Sequence, residues 1–232
     1  MPWTQSTIIL MRHGEPSAYK EPSANQEPST NKEPLANNEP SVDHELPTSP
    51  IFRGITDDVL SAIGWQQMDN AVRELSDIDN IICSPLRRCS EFARKLARQR
   101  GLSLRQSDAL KEINFGQWEG QSVQQIASES GPELKNFWQN PLANTPPGGE
   151  PVLEFQHRVI EFWQQFLTAS KGQNSLIITH GGVQKIILAT VLDMPVQAVH
   201  NIEVPYACCS KIQVYYSDAE IVTTLKFHGV LD

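Results

Sequence analysis

The sequence predicts an α/β fold, a three-layer α/β/α sandwich built around a mostly parallel sheet. Three short apolar runs, TIILM at 7–11, NIIC at 80–83 and SLIIT at 175–179, have the length and composition of buried strands. Helical patterns follow these runs, and strands that alternate with helices favour parallel pairing with helices on both faces. The chain has 232 residues, a length that suits one domain, so we expect residues 1–232 to form a single domain.

The other elements follow from periodicity and end signals. Ser61 suits the N-cap of a first helix, Gly101 suits the end of a second, and a long helix near the middle of the chain has one apolar face. Further strands are predicted at 102–105, 209–216 and 221–227, the last two as a hairpin. Helices are predicted at 61–75, 86–100, 122–129, 133–138, 150–169 and 183–192.

An insert at 16–50 departs from this pattern. A six-residue unit runs five times from Glu15, as EPSAYK, EPSANQ, EPSTNK, EPLANN and EPSVDH. A proline in every unit interrupts both helix and sheet hydrogen bonding, and the apolar content is too low to offset the entropy of ordering. We predict an extended or disordered surface loop. A tolerated tandem expansion is favoured over a partner-binding arm or a lid.

Composition excludes several classes of protein. The net charge is −8, from 19 basic and 27 acidic residues, which argues against a general nucleic-acid binder. No apolar run approaches the roughly 18 residues of a membrane span, and the first residues lack a signal-peptide pattern. We therefore expect a cytoplasmic protein with no membrane partner. The four cysteines lack zinc or redox spacing, which favours buried, reduced thiols.

Polar residues stand where three predicted strands end. Arg12 and His13 follow the first strand, Arg88 comes soon after the second, and His180 follows the third and opens a Gly-Gly helix start. Ligands bind beyond the carboxyl ends of parallel strands, and guanidinium groups bind oxyanions through paired hydrogen bonds. Backbone N–H groups at a helix start add to such a site. The pattern predicts a pocket for a small anion.

The chain resembles the histidine phosphatase superfamily, the phosphoglycerate-mutase-like proteins. Six blocks carry the resemblance in order: LMRHGE at 10–15, FRGITDDVLSAIGWQQM at 52–68, CSPLRRCSEFA at 83–93, LKEINFGQWEG at 110–120, PPGGE at 146–150 and ITHGGV at 178–183. The resemblance implies that His13 is a nucleophile that becomes phosphohistidine. It implies that Arg12, Arg88 and His180 bind the phosphate. It also implies that Glu112 is the general acid for the leaving oxygen.

Further positions follow from the same blocks. Arg53 and Gly54 fall where the first loop of the family returns to the phosphate, so both are expected at the substrate. Gly181 lies in the helix start beside the anion, whereas Arg87 is expected to be exposed. The family usually carries Thr or Ser where this chain has Pro16, and Asn where it has Tyr19, so substrate contacts of that loop differ here.

The chemistry needs these residue types. A histidine must be neutral to attack phosphorus, with its other ring nitrogen held by an acceptor. Arginine and histidine donors stabilise the charge of a transferring phosphoryl group, and Glu112 must carry a proton to protonate the leaving oxygen. The covalent route needs no metal, and no ligand cluster stands in the sequence, so we expect neither a metal nor another cofactor.

The blocks are most similar to α-ribazole phosphatases of cobalamin biosynthesis, which implies α-ribazole 5'-phosphate as the phosphate monoester substrate. Gly181-Gly182 differs from the Gly-Asn of the mutases. Three alternatives stay open: a broad-specificity small-metabolite phosphatase, a phosphoglycerate-type mutase, and a non-catalytic phosphate-binding relative. The sequence also leaves open a homodimer.

Overall fold

The protein forms a six-stranded mixed sheet with helices on both faces, as seen in a computed structural model that describes residues 3–17 and 51–231. The strand order is β3-β2-β4-β1-β5-β6. Pairing is parallel from β3 to β1 and antiparallel for β5 and β6. The strands are β1 Thr4–Arg12, β2 Asn80–Cys83, β3 Ser103–Gln106, β4 Ser175–Thr179, β5 Cys209–Tyr216 and β6 Ile221–Gly229. The predicted α/β class and the mostly parallel sheet are confirmed.

Five α-helices are described in these residues. They are α1 Ala62–Ala71, α2 Arg87–Arg100, α3 Val123–Gln139, α4 Val152–Ala169 and α5 Gly181–Val191. Short 3-10 helices lie at Asp108–Leu110, Gly116–Trp118 and Val196–Asn201. Ser61 caps α1 by accepting from the Gly64 N–H at 2.9 Å, and Gly101 ends α2 in the left-handed conformation at φ 67°. Both end signals were predicted from the sequence.

Two apolar clusters cover the two faces of the sheet. Alternate residues of β1 point to opposite faces, so Ile8 and Leu10 join the cluster beneath α4 and α5, whereas Ile9 and Met11 join the cluster beneath α1 and α2. A third, smaller cluster centres on Trp118. The buried face of α4 is the predicted one: Phe155, Val159, Phe162 and Phe166 are buried, with Trp163 beside them. Helices therefore cover both faces, as the three-layer prediction requires.

Several boundaries differ from the predictions. The helix predicted at 61–75 ends at Ala71. The two helices predicted at 122–129 and 133–138 form one element, Val123–Gln139, which is kinked at Ser130 (φ −142°, ψ 44°), two residues before Pro132. Proline has no N–H to donate and its ring clashes with the carbonyl four residues earlier, so the helix bends at this point. The helix predicted from Glu150 begins at Val152, after Pro151.

Most of the insert lies outside the described residues, including Tyr19. At its start, Pro16 forms a bridge with Leu60, and the Ser17 N–H donates to the Val59 oxygen at 2.8 Å. The chain beyond Glu15 thus begins against the segment that leads into α1.

All four cysteines are free and buried, as predicted. Burial raises the pKa of Cys83 to about 12 and the pKa of Cys209 to about 12, so both stay protonated at neutral pH. Among residues 3–17 and 51–231, no group of three or more His, Cys, Asp or Glu side chains is placed to hold a metal ion.

None of the helices described is both long enough and apolar enough to cross a membrane.

Candidate active site

The carboxyl ends of three adjacent strands bring the predicted pocket residues together. β2, β4 and β1 are neighbours in the sheet, and Arg12 at the end of β1 pairs in register with Thr179 at the end of β4. The next residues, His13 and His180, are both buried, and their ring centroids lie 5.1 Å apart. Two residues 167 positions apart therefore meet because their strands are parallel neighbours.

The hydrogen bonds of His13 fix which of its ring nitrogens carries the proton. Its Nδ1 lies 2.7 Å from the Gly14 carbonyl oxygen, so Nδ1 carries the proton and Nε2 keeps its lone pair. Burial, with the Arg88 and Arg12 guanidinium groups nearby, lowers the pKa of His13 well below 6.5. A neutral imidazole with an unprotonated Nε2 is the form that attack on phosphorus requires.

His180 has the opposite tautomer. Its Nε2 lies 2.8 Å from the Ser84 hydroxyl, while its Nδ1 accepts a hydrogen bond from Arg88 Nε at 3.2 Å. Burial, with Arg88 beside the ring, lowers the pKa of His180 well below 6.5. The Ser84 side chain, at the end of β2, was not predicted as a site residue, although its position at a strand end marked it for attention.

Arg88 lies beneath both histidines and is completely buried. Its Nε–H is shared between His13 Nε2 at 3.3 Å and His180 Nδ1 at 3.2 Å. Its Nη2 donates to the Gly54 carbonyl at 2.7 Å, and its Nη1 donates to a second carbonyl of the same loop. Arg87 is exposed and pairs with Glu91, as predicted. A direct contact of Arg88 with phosphate stays a prediction.

Gly54 lies behind Arg88 and does not line the cavity next to His13. A Cβ at this position would lie 2.2 Å from the Ile113 oxygen, so only glycine lets the two chain segments approach this closely. The structure thus places Gly54 where it supports Arg88, and its predicted contact with the substrate stays untested.

Arg12 forms one wall of the pocket. Its Nη1 donates to the Val204 carbonyl at 2.5 Å, and its guanidinium lies 4.2 Å from the centroid of the Tyr206 ring. The Nε atom of Arg12 is buried without a hydrogen-bond partner among the described residues. Such a donor is costly to leave unpaired, and an anion beside His13 would satisfy it.

Glu112 faces Arg12 across the pocket. Its Oε2 accepts a hydrogen bond from the Gly182 N–H at 2.9 Å, in the first turn of α5, and its Oε1 accepts from the Ile113 N–H at 3.1 Å. The helix start therefore orients the carboxyl group. A Cβ at residue 182 would lie 2.2 Å from Glu112 Oε1, so the second glycine of the Gly-Gly pair makes room for it.

Arg53 lines the same cavity but is already paired. Its Nη1 lies 2.7 Å from Asp58 Oδ2, and Asp58 is buried. The same nitrogen donates to the Ser17 carbonyl at 3.2 Å. This pairing leaves the rest of the guanidinium for a substrate, a role that stays a prediction.

Two cavities meet at Arg12, Glu112 and Phe115. One, of about 220 Å³, contains His13 and has an apolar and aromatic wall. The other, of about 570 Å³, contains Gly181 and Lys185 on α5. The wall of the first cavity is formed by Ile51, Phe52, Phe115, Val123 and Tyr206.

Besides Ser84, sequence reasoning missed two side chains, Tyr206 at the pocket and Glu119 behind it. Tyr206 lies 5.8 Å from the His13 ring, centroid to centroid, in an irregular segment with no periodic signal. Glu119 binds the loop that holds Arg88, and it stands inside the block at 110–120, where only Glu112 was assigned a role.

Comparison with known proteins places the sequence among phosphatases and related proteins. A bifunctional protein of Mycobacterium tuberculosis is 28% identical over 190 residues, which cover 81% of this chain and 52% of that protein. The chain thus spans about half the length of this mycobacterial relative. The adenosylcobalamin/alpha-ribazole phosphatase of Escherichia coli K12 is 28% identical over 169 residues, 71% of this chain and 82% of the relative.

Solved structures share the fold. The alpha-ribazole phosphatase from Shigella flexneri superimposes with a TM-score of 0.74 at 24% identity, over 96% of each chain. A mycobacterial glucosyl-3-phosphoglycerate phosphatase gives 0.73 at 20% identity, over 97% of this chain and 99% of the other. The sequence model of the histidine phosphatase superfamily (branch 1) matches residues 8–225. The strand-end histidines and arginines thus stand in a chain that belongs to the histidine phosphatase superfamily.

Proposed function

We propose that the protein hydrolyses phosphate monoesters through a phosphohistidine at His13. The observation that carries this proposal is the His13 ring itself: it is buried, its Nδ1 is held by the Gly14 oxygen, and its Nε2 lies at the pocket beside Arg88. The Arg12 guanidinium lines the same cavity and has an unpaired buried donor. This arrangement suits a phosphoryl group placed between a nucleophile and fixed cations.

The first half-reaction forms a nitrogen–phosphorus bond. His13 Nε2 attacks phosphorus in line with the ester oxygen, and the phosphorus–oxygen ester bond breaks as the new bond forms. Glu112, in its protonated form, gives its proton to the departing oxygen. The product alcohol leaves, and the phosphoryl group stays on His13.

The second half-reaction restores the enzyme. A water molecule attacks the phosphohistidine, and Glu112, now a carboxylate, accepts a proton from that water. The nitrogen–phosphorus bond breaks, inorganic phosphate leaves, and Nε2 of His13 regains its lone pair. The hydrogen bonds from Gly182 and Ile113 hold the Glu112 carboxyl group in place for both steps.

The cavity wall supports a substrate with a flat, apolar leaving group. Phe52, Phe115 and Tyr206 line the cavity beside His13, and aromatic rings pack well against a planar base. α-Ribazole 5'-phosphate, which carries a benzimidazole ring on its ribose, has this character. The relative named adenosylcobalamin/alpha-ribazole phosphatase is 28% identical over 71% of this chain, which adds support to this substrate.

The proposed hydrolysis is tested with phenyl phosphate in chelator. Wild-type protein should release phosphate at a rate that chelator leaves unchanged, since the covalent route needs no metal. His13→Ala should lose at least a thousandfold in kcat because it lacks the nucleophile. Brief reaction with ³²P-labelled substrate should label the wild type and not the variant. A variant that keeps activity within tenfold would contradict the assignment of His13.

The proposed substrate is tested by selectivity. A ratio of kcat/KM of at least a hundredfold for α-ribazole 5'-phosphate over phenyl phosphate corresponds to about 2.7 kcal/mol of transition-state discrimination. Equal and low values would keep the mechanism and overturn this substrate. With a phosphoglycerate as substrate, release of inorganic phosphate would indicate hydrolysis, whereas formation of an isomeric phosphoglycerate would indicate a mutase reaction.

A further inference from the structure

We propose that Glu119 is a positioning residue that keeps Arg88 in contact with the two histidines. It acts through the loop at residues 54–56, which its carboxylate fixes in place. The inference rests on the proposed phosphohydrolase function, because it concerns how the nucleophile of that reaction is kept ready.

The carboxylate of Glu119 is fully used by four donors. Its Oε1 accepts from the Ile55 N–H at 2.8 Å and from the Phe115 N–H at 3.1 Å. Its Oε2 accepts from the Thr56 N–H at 2.6 Å and also from the Thr56 hydroxyl. Hydrogen bonds to an ionised acceptor are about twice as strong as neutral ones, so this single side chain fixes the backbone of the loop.

Gly54 allows this close approach. A Cβ on Gly54 would lie 2.3 Å from Glu119 Oε1, so a side chain there would push the carboxylate away. The loop and the segment after Glu112 therefore meet without a gap.

The same loop accepts hydrogen bonds from both Nη atoms of Arg88. The Gly54 carbonyl accepts from Nη2 at 2.7 Å, and the Thr56 carbonyl accepts from Nη1 at 2.5 Å. These two carbonyls flank the backbone N–H groups that Glu119 binds. With one hydrogen bond at each Nη atom fixing the plane of the guanidinium, its Nε–H points to His13 and His180 at 3.3 and 3.2 Å.

Replacement by glutamine should break this arrangement while preserving side-chain size. A glutamine offers one oxygen and one NH₂ group, whereas the site presents backbone N–H donors to both oxygens. Either orientation places the NH₂ group against at least one backbone N–H, which leaves a donor unsatisfied. The loop should then release Arg88.

The experiment compares Glu119→Gln with Glu91→Gln, which removes an exposed carboxylate paired with Arg87 on α2. Three quantities are measured: kcat on phenyl phosphate, the melting temperature, and the His13 titration by NMR of its ring nitrogens. For Glu119→Gln we expect kcat to fall at least tenfold and the pKa of His13 to rise toward 6.5, because the Arg88 charge that lowers it has moved. Glu91→Gln should leave both kcat and the pKa of His13 unchanged.

The His13 titration distinguishes positioning from general destabilisation. The charged and titratable groups that face His13 are Arg12, Arg53, Arg88, Glu112, His180 and Tyr206. Glu119 hydrogen-bonds to none of these side chains, and among them only Arg88 donates to the carbonyls of the loop at residues 54–56 that Glu119 fixes. A lower melting temperature with an unchanged His13 titration and kcat within twofold of wild type would overturn the proposal.

A second variant covers the case in which Glu119→Gln does not fold. Thr56→Val removes only the hydroxyl hydrogen bond to Glu119 and keeps the backbone contacts, so it should shift the His13 titration in the same direction by a smaller amount. No shift in folded Thr56→Val would then overturn the proposal. The NMR titration needs no turnover, so a wild-type protein that hydrolyses nothing would refute the proposed function while the role of Glu119 is still decided.

Discussion

The two buried imidazoles are kept neutral by complementary hydrogen bonds. His13 donates from Nδ1 to a carbonyl and accepts at Nε2, whereas His180 accepts at Nδ1 and contacts the Ser84 hydroxyl through Nε2. A second proton on either ring would turn an acceptor into a donor facing Arg88. Protonation is therefore opposed by both burial and the lost hydrogen bond.

This environment predicts an acid-sensitive fold. The pKa of His13 and that of His180 are lowered on folding, so the unfolded chain binds protons more readily and acid favours unfolding. The stabilisation is complete above about pH 6.5 and is lost as the pH falls from there toward the lowered values. The melting temperature should drop from pH 7.5 to pH 5.5. His13→Gln should show a smaller drop in melting temperature over this pH range than the wild type. An equal drop would contradict the conclusion that the lowered pKa of His13 contributes to acid sensitivity.

A second prediction concerns the glycine beside Glu112. Gly182→Ala should displace the Glu112 carboxyl group, since a Cβ would lie 2.2 Å from its Oε1. Protonation of the leaving group matters most for poor leaving groups. We expect kcat for an alkyl phosphate to fall at least tenfold more than kcat for p-nitrophenyl phosphate. Gly131→Ala, where an added Cβ meets nothing within 4 Å, is the matched control and should leave that ratio unchanged.

The sequence predicted the pocket residues at strand ends but not their supports. His13 and His180 follow apolar runs, so their position after predicted strands was enough to identify them as candidate site residues. Glu119 and Tyr206 stand in irregular segments, where neither period 2 nor period 3.6 applies, and their contacts depend on how distant loops fold back. Gly54 was expected at the substrate from its position in the family's first loop, and the structure shows in addition that it packs closely against Ile113.

At the scale of elements, α4 fixes the segment that carries Glu112. Arg158 on α4 donates to the carbonyls of Ala109 and Lys111, each at 2.9 Å, and to that of Glu112 at 3.1 Å. Its guanidinium is also paired with Glu150 at 2.7 Å. One side chain thus joins a helix to an irregular stretch that has few backbone partners of its own.

Arg158→Met should therefore affect both stability and catalysis. Loss of three carbonyl partners and one ion pair, at a side chain only 25% exposed, should destabilise the protein by about 1–3 kcal/mol. We also expect kcat to fall, because the Glu112 segment loosens. Urea unfolding and phenyl phosphate turnover measure the two effects. Arg158→Lys keeps the positive charge but has one donor nitrogen instead of three, so it should recover part of the lost stability. If it recovers none, the loss in Arg158→Met comes from side-chain packing alone.

Element boundaries were the weaker part of the sequence prediction. The strands were predicted because an apolar run of four or five residues is typical of a buried strand in an α/β chain. The sequence predicted two helices with a gap between 129 and 133, where the structure has one kinked helix that contains Gly131 and Pro132. Tertiary packing of Ile126 and Leu134 in one cluster keeps the two halves together.

For the whole molecule, part of the core lies far from the pocket. One of the two main core clusters extends along α4 to Trp163 and Phe166. Trp163 is 2% exposed and stands eight residues after Phe155, about 12 Å farther along the helix. Its substitution should therefore leave the pocket geometry unchanged.

Trp163→Ala tests this separation. It should cost about 3–5 kcal/mol and lower the melting temperature by about 6–20 °C for a domain of this size. At 15 °C, where the variant is still folded, kcat/KM on phenyl phosphate should stay within threefold of the wild type. A large loss of activity at that temperature would show that the core transmits strain to the pocket.

The position of β1 in the middle of the sheet sets the order in which the protein assembles on the ribosome. Ile8 pairs with Ser175 of β4 on one side and with Ile212 of β5 on the other. At the usual rate of synthesis, β4 emerges on the order of 10 s after β1. During that time the apolar first strand has neither neighbour, and His13, which follows it, has no pocket around it. Closure of the sheet around β1 is thus the step that both covers this strand and completes the pocket.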